Sequence, residues 1–84
     1  MARTLTLYGH DYCSLCHEMR EALLAYQDRL GFDLEWVDIH DNREWEDRFG
    51  EQVPVLMAGE HAICHHRLDP QALLSHFGAA VRYL

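Results

Sequence analysis

One short stretch decides how this chain folds: Gly9-His10-Asp11-Tyr12-Cys13-Ser14-Leu15-Cys16. It lies between an apolar run typical of a β-strand and a long segment with helical periodicity. Backbone N–H groups at the start of a helix have no partner within the helix and carry partial positive charge. A thiol placed there ionises more readily, and the thiolate is the reactive form of cysteine. The spacing therefore predicts a reactive thiol, Cys13, with a second thiol, Cys16, one helical turn further on.

A disulfide between these two cysteines would close a very small loop. The chain-entropy treatment gives such a loop about 2 kcal/mol of stabilisation, against about 4.7 kcal/mol for a loop of a hundred residues. A bond that stabilises the fold so little is a poor structural cross-link. We therefore interpret the pair as one that is made and broken during function.

The composition limits the classes of protein to which the chain can belong. With 84 residues, 49% of them hydrophobic, we expect a single domain over residues 1–84 with an ordinary core. The formal net charge of −7 argues against a nucleic-acid-binding protein and against docking on an anionic membrane. No apolar run is long enough for a secretory signal or a membrane span. Three cysteines are too few for a disulfide-rich secreted scaffold, so we expect a cytoplasmic monomer.

Local patterning predicts seven elements in the order β-α-β-α-β-β-α. A helix joins the first two strands, so they should be parallel with a right-handed crossover, and the last two strands should form a hairpin. The result is an α/β fold with helices flanking a mixed sheet. The predicted strands are residues 3–8, Phe32–Ile39, Val53–Met57 and His61–Cys64, and the predicted helices are Ser14–Leu30, 42–49 and 70–77.

Single residues predict the ends of these helices. Asp41 is expected to cap the second helix, and Asp69, which a proline follows, is expected to cap the third. Gly31, Gly50 and Gly78 are expected to end the three helices.

This element order, with the cysteine pair after the first strand and Val53-Pro54 at the start of the third, resembles the thioredoxin superfamily. The short length of the chain resembles that of the glutaredoxin branch, and in particular that of small bacterial glutaredoxin-like proteins. The resemblance implies a thioredoxin-like (glutaredoxin-type) three-layer sandwich with a four-stranded mixed sheet. It also implies a thiol–disulfide oxidoreductase, in which Cys13 attacks a substrate disulfide and Cys16 resolves the mixed disulfide.

The resemblance also implies how a substrate binds. Pro54 would follow a cis peptide bond and lie beside Cys13, and the backbone of Val53 would pair with an extended substrate. The implied substrates are protein or low-molecular-weight disulfides, with no bound cofactor and with glutathione as a candidate co-substrate. The residues implied to bind substrate are His10, Tyr12, Val53, Pro54 and Asp69.

The sequence departs from ordinary glutaredoxins at the places that hold glutathione. Ser14-Leu15 stands between the cysteines in place of Pro-Tyr. His10 stands where a basic residue usually meets a glutathione carboxylate, and histidine is mostly neutral at cytoplasmic pH. The segment Cys64–Asp69 replaces a Gly-Gly-x-Asp-like turn, and only its aspartate matches. We therefore expect weak glutathione binding, with exchange at protein disulfides retained.

A haem protein is one alternative for the same cysteines. Cys13-Ser14-Leu15-Cys16-His17 also spells C-x-x-C-H, the pattern of covalent haem attachment, with His17 as an axial ligand. Such attachment normally follows export, and the chain shows no export signal.

A non-catalytic metal-binding (zinc or iron–sulfur) or scaffold domain is the other alternative. Cys13, Cys16, Cys64 and His65 or His66 include enough soft ligands for tetrahedral zinc. However, neighbouring residues of a strand point to opposite faces, so Cys64 and His65 cannot both turn towards one metal ion without a bend. Cys64 is interpreted instead as a small apolar residue near the end of the hairpin, or as an accessory redox thiol.

Overall fold

The computed structural model describes residues 4–11, 13–40 and 42–78. The predicted order β-α-β-α-β-β-α is confirmed. The largest difference in boundaries is at the third strand, which begins two residues later than predicted because the proline at position 54 has no N–H to donate to a strand ladder. The elements are β1 (Thr4–Gly9), α1 (Ser14–Leu30), β2 (Asp33–Asp38), α2 (Arg43–Phe49), β3 (Val55–Ala58), β4 (His61–His65) and α3 (Pro70–Phe77).

The four strands form one mixed sheet in the order β2-β1-β3-β4. β1 and β2 are parallel, and Gly9 lies beside Asp38. β3 is antiparallel to both β1 and β4, and Tyr8 lies opposite Val55. The carboxyl end of β1 therefore meets the amino end of β3. This register brings the cysteine-bearing loop and the Val53-Pro54 segment to the same edge of the sheet.

Hydrophobic side chains cover both faces of the sheet. One cluster packs β1 against α1 and α3, and the other packs β3 against α2. Leu56 belongs to the first cluster, whereas Val55 and Met57 belong to the second, as the alternation of a strand requires. Because both faces are buried, the sequence of β3 is a continuous apolar run.

The cap of α2 differs from the prediction. Asn42, not Asp41, is the N-cap, and its Oδ1 accepts a hydrogen bond from the Trp45 N–H at 3.1 Å; Asp41 lies outside the described residues. Asparagine and aspartate cap helices about equally well, so residue type does not determine which of the two is the N-cap. The backbone determines it, because the Asn42 N–H donates to the Ile39 carbonyl at 3.1 Å. This turn places residue 42 immediately before the first helical residue.

The other helix ends are as predicted. Gly31 and Gly78 end α1 and α3 with φ of 69° and 64°, the left-handed conformation that glycine favours. Gly50 ends α2 in a right-handed conformation. Asp69 caps α3, and its Oδ1 accepts from the Ala72 N–H at 3.1 Å. Within the described ranges, none of the helices combines the length and apolar character needed to cross a bilayer.

Candidate functional site

Cys13 is the N-cap residue of α1. Its backbone is extended, with φ of −95° and ψ of 115°, and its Sγ accepts a hydrogen bond from the Cys16 N–H at 3.3 Å. The sulfur thus takes the place of the side-chain oxygen that usually caps a helix. The Cys13 sulfur therefore lies at the start of the helix, with a backbone N–H directed at it. Because Cys13 is only partly buried, a substrate can reach this sulfur.

Cys16 lies one turn inside the same helix and is completely buried. Burial is the main cause that raises the pKa of its thiol to about 12. The hydrogen bond with the Cys13 thiol and the nearby charge of Asp38 raise this pKa further, and a hydrogen bond with the His10 backbone opposes them. Both cysteines are free thiols near disulfide distance from each other. The pair is therefore asymmetric, with one accessible and one protected sulfur.

Gly9, the last residue of β1, makes this close packing sterically possible. A Cβ atom at this position would lie 2.6 Å from the Cys16 Sγ and 3.0 Å from the Trp36 ring. The start of α1 can therefore press against β1 only because residue 9 has no side chain. The sequence pattern predicted a loop at Gly9, so this role of the residue was missed. A glycine that ends a strand pattern is the signal for such an approach of backbone and side chain.

Trp36 on β2 forms the other wall beside Cys16. The His17 ring stacks on it with a centroid distance of 6.3 Å, and the Arg20 guanidinium lies 5.7 Å from its ring centroid. The His17 Nε2 also hydrogen-bonds to the Asp11 carbonyl. His17 is thus engaged by an aromatic ring and a backbone carbonyl.

Val53 and Pro54 lie next to the cysteine-bearing loop. Their peptide bond is cis, as the resemblance implied. Pro54 is fully buried, and its carbonyl accepts a hydrogen bond from the His66 N–H at 2.8 Å. Val53 is half-buried and comes before the first paired residue of β3, Val55. Its main chain therefore lies at the end of the sheet, where an extended segment can pair with it.

Of the remaining predicted site residues, His10 adjoins the cysteines through its backbone, since its carbonyl accepts a hydrogen bond from the Cys13 N–H at 3.2 Å. His10 is 7% exposed, and its Nε2 lies 3.4 Å from the Glu46 Oε1, so this ring faces α2. Tyr12 lies outside the described residues. Asp69 is exposed and uses its carboxylate to cap α3.

A groove of about 260 Å³ runs between α1 and the turn that joins β4 to α3. One of its lining residues, Leu15, stands between the two cysteines in the sequence. The groove is lined mainly by apolar residues, together with one histidine, an acidic residue on α1 and a basic residue on the turn. The lining residues are Leu15, Glu18, Met19, Ala22, His66, Arg67 and Leu68.

Cys64 lies half-buried on β4 and packs against the main hydrophobic cluster. Burial raises the pKa of its thiol, and a hydrogen bond with the Asp69 backbone opposes that effect. Among the residues that the structure describes, no three histidine, cysteine, aspartate or glutamate side chains are placed to hold one metal ion. The zinc alternative requires Cys64 or its histidine neighbours to converge on Cys13 and Cys16, and these described side chains form no such group.

Comparison with known proteins agrees with this geometry. Residues 4–78 match the family described as Glutaredoxin-like domain (DUF836). The solution NMR structure of protein Ne2328 from Nitrosomonas europaea is 32% identical, with a TM-score of 0.82 over 90% of this chain and 92% of that one. Thioredoxin 1 from Thermosipho africanus shares the fold, with 18% identity and a TM-score of 0.56 over 95% and 92% of the two chains. The chain therefore belongs to the glutaredoxin-like domain family and has the thioredoxin-like fold that its sequence predicted.

Proposed function

We propose that this protein is a thiol–disulfide oxidoreductase in which Cys13 attacks and Cys16 resolves. The observation that carries the proposal is that the two thiols of one short motif differ in their accessibility and in their surroundings. Cys13 is accessible and receives a backbone hydrogen bond on its sulfur, whereas Cys16 is completely buried with a pKa raised to about 12. A structural cross-link does not need this asymmetry, but two successive exchange steps do.

In the first step the Cys13 thiolate attacks one sulfur of the substrate disulfide. A mixed disulfide forms on Cys13, and the other substrate sulfur leaves as a thiolate. In the second step Cys16 gives up its proton and attacks the Cys13 Sγ. The Cys13–Cys16 disulfide forms, the second substrate thiolate leaves, and two electrons have passed to the substrate. A low-molecular-weight thiol or a reductase would return these electrons to the protein.

Burial of Cys16 keeps this sequence in order. A fully buried sulfur cannot meet a disulfide in solution, so it reacts only with a sulfur that Cys13 has brought to it. The Cys16 sulfur packs closely against Gly9, where a Cβ would lie only 2.6 Å from it, so it has little room to move. These contacts support a single site of attack.

Two features support a polypeptide substrate. The main chain of Val53 can pair with an extended segment beside the attacked disulfide, by addition of a strand. The groove that Leu15 lines can receive a side chain next to the substrate cysteine, because its lining is mainly apolar and Leu15 lies between the two cysteines in the sequence. A protein or peptide disulfide uses both features.

Glutathione uses these features poorly, so we propose that it binds weakly. Its two carboxylates need two positive partners, whereas His10 already faces the Glu46 carboxylate. Asp69 is itself an anion and serves as a helix cap. Arg67 lines the groove as a single cation, opposite Glu18. The net charge of −7 further disfavours the approach of an anion.

The proposal is tested by trapping the mixed disulfide on a peptide that carries an intramolecular disulfide. The wild type should release reduced peptide, Cys16→Ser should hold one peptide per protein on Cys13, and Cys13→Ser should do neither. Cys64→Ser is the control and should behave as the wild type. Failure of the wild type to reduce the peptide, or trapping on Cys64, would contradict the proposal. Metal analysis of the purified protein tests the metal-binding alternative in the same samples.

A further inference from the structure

We infer that His66 is a positioning residue that holds the Val53-Pro54 segment in place through both its backbone and its ring. Its part in exchange rests on the proposed function. The contacts themselves are independent of that function and can be tested without a substrate.

The backbone of His66 makes the first connection. Its φ is 67°, a conformation uncommon for residues with a side chain, although histidine is one of the types enriched there. The Arg67 N–H donates to the His65 carbonyl at 2.8 Å and closes a three-residue turn around His66. Such γ-turns with positive φ are rare and strained, so the surrounding contacts must hold this one. The turn directs the His66 N–H to the Pro54 carbonyl at 2.8 Å.

The imidazole of His66 makes the second connection. Its Nε2 lies 3.0 Å from the Glu51 carbonyl oxygen, and because a carbonyl only accepts, this nitrogen carries the hydrogen. Glu51 and Pro54 stand on either side of Val53 in the sequence. His66 therefore binds the chain on both sides of the residue that is proposed to pair with substrate.

The second ring nitrogen links the arrangement to a neighbouring ring. The His66 Nδ1 lies 3.2 Å from the His65 Nδ1, and the rings meet edge to face at 78°. Since the Nε2 of His66 carries a hydrogen, the His65 Nδ1–H donates to the His66 Nδ1. This bond orients the His66 ring towards the Glu51 carbonyl.

Four variants separate the backbone from the ring. His66→Gly keeps the positive φ and the N–H donor but lacks the imidazole. His66→Asn also tolerates the left-handed conformation and does not titrate. His65→Ala removes only the partner ring. The matched control is His61→Ala, which breaks another exposed histidine stack, that of His61 with His76 at 5.6 Å.

The first measurement is kcat/KM for the disulfide peptide at pH 8. We expect His66→Gly to be slower than the wild type by about five-fold, mainly through KM, as the loss of one net hydrogen bond implies. His66→Asn should be slowed similarly, His65→Ala should lie between these variants and the wild type, and His61→Ala should match the wild type. A His66→Gly variant equal to the wild type would overturn the inference.

The second measurement needs no turnover. Imidazole ¹⁵N shifts at pH 8 should show that the His66 Nε2 carries a hydrogen, and the protection factor of the His66 amide should fall in His65→Ala. If the wild type reduces no disulfide, the proposed function fails, while these two observables still decide whether the contacts exist. If exchange is normal but the His66 amide is unprotected at pH 8, the inference fails alone.

Discussion

The start of α1 and the turn between β4 and α3 lie on either side of the Val53-Pro54 segment, and they are built in different ways. At the start of α1 close packing permits little variation, because a single Cβ on Gly9 would lie 2.6 Å from the Cys16 sulfur. At the turn the chain keeps a left-handed backbone at His66, which a glycine would adopt freely, and adds an imidazole that binds Glu51. Under the proposed function, exchange chemistry depends on the first region and substrate docking depends on the second. The two should therefore respond separately to mutation.

Gly9→Ala should have the largest effect on both stability and exchange. The added Cβ must displace the Cys16 sulfur or the Trp36 ring, and such overpacking costs typically about 1–3 kcal/mol. The melting temperature should fall by roughly 5–20 °C for a domain of this size. Because Cys16 is displaced, the mixed disulfide on Cys13 should also accumulate.

The matched control for Gly9→Ala is Gly59→Ala. Its Cβ would meet nothing within 4 Å, although its φ of 60° is unfavourable for alanine. This variant should lose some stability but resolve mixed disulfides at the wild-type rate. If Gly9→Ala melted and exchanged like the wild type, the close packing at the start of α1 would not be a constraint.

Stability at alkaline pH measures how completely Cys16 is buried. Its pKa is 9.0 ordinarily and about 12 in the folded state, so between these values the folded state holds a proton that the unfolded chain has lost. The stability that this thiol contributes is thus fully present below pH 9 and is lost as pH rises towards 12. Cys16→Ser does not titrate in this range. From about pH 8 to about pH 10.5 the free energy of unfolding of the reduced wild type, relative to Cys16→Ser, should fall by on the order of 1–2 kcal/mol in urea titrations. An unchanged difference would show that the thiol is open to solvent.

Asp69→Ala should have the smallest effect on stability and exchange, and it tests the turn between β4 and α3. Loss of the cap on the Ala72 N–H should cost about 1 kcal/mol in the free energy of unfolding. Reduction of a small disulfide should stay at the wild-type rate, and Asp69→Asn should recover most of the stability. If Asp69→Ala instead raised KM for glutathione-containing disulfides without loss of stability, Asp69 would bind substrate, as the family resemblance implies.

Periodicity predicted the fold well because most elements are defined by their own residues. The bounds of α1 agree with the helical stripe that Gly31 ends, and β1 follows the alternation of Leu5 and Leu7. Errors arose where two neighbouring residues were chemically equivalent. Asn42 and Asp41 cap helices equally well, and only the turn from Ile39 decides between them.

The candidate site was predicted only where its chemistry is local. Cys13 and Cys16 are three residues apart, so their motif is visible in the sequence. The contact of His66 with Glu51 joins residues fifteen apart, and the approach of Gly9 to Cys16 depends on how α1 crosses β1. The left-handed backbone of His66 was also hidden, since the usual signal for such a conformation is glycine.

A redox titration decides whether Cys13 and Cys16 form a reversible two-electron couple, on which the proposed function depends. The protein is equilibrated in thiol–disulfide buffers of known potential, quenched with acid, unfolded and alkylated, and each cysteine is quantified by mass spectrometry. We predict that Cys13 and Cys16 lose their free thiols together in one transition, with the slope of about 30 mV per decade expected for two electrons, while Cys64 stays alkylated throughout. Separate transitions for the two cysteines, a disulfide that includes Cys64, or no oxidation at any potential would show that they do not form such a couple.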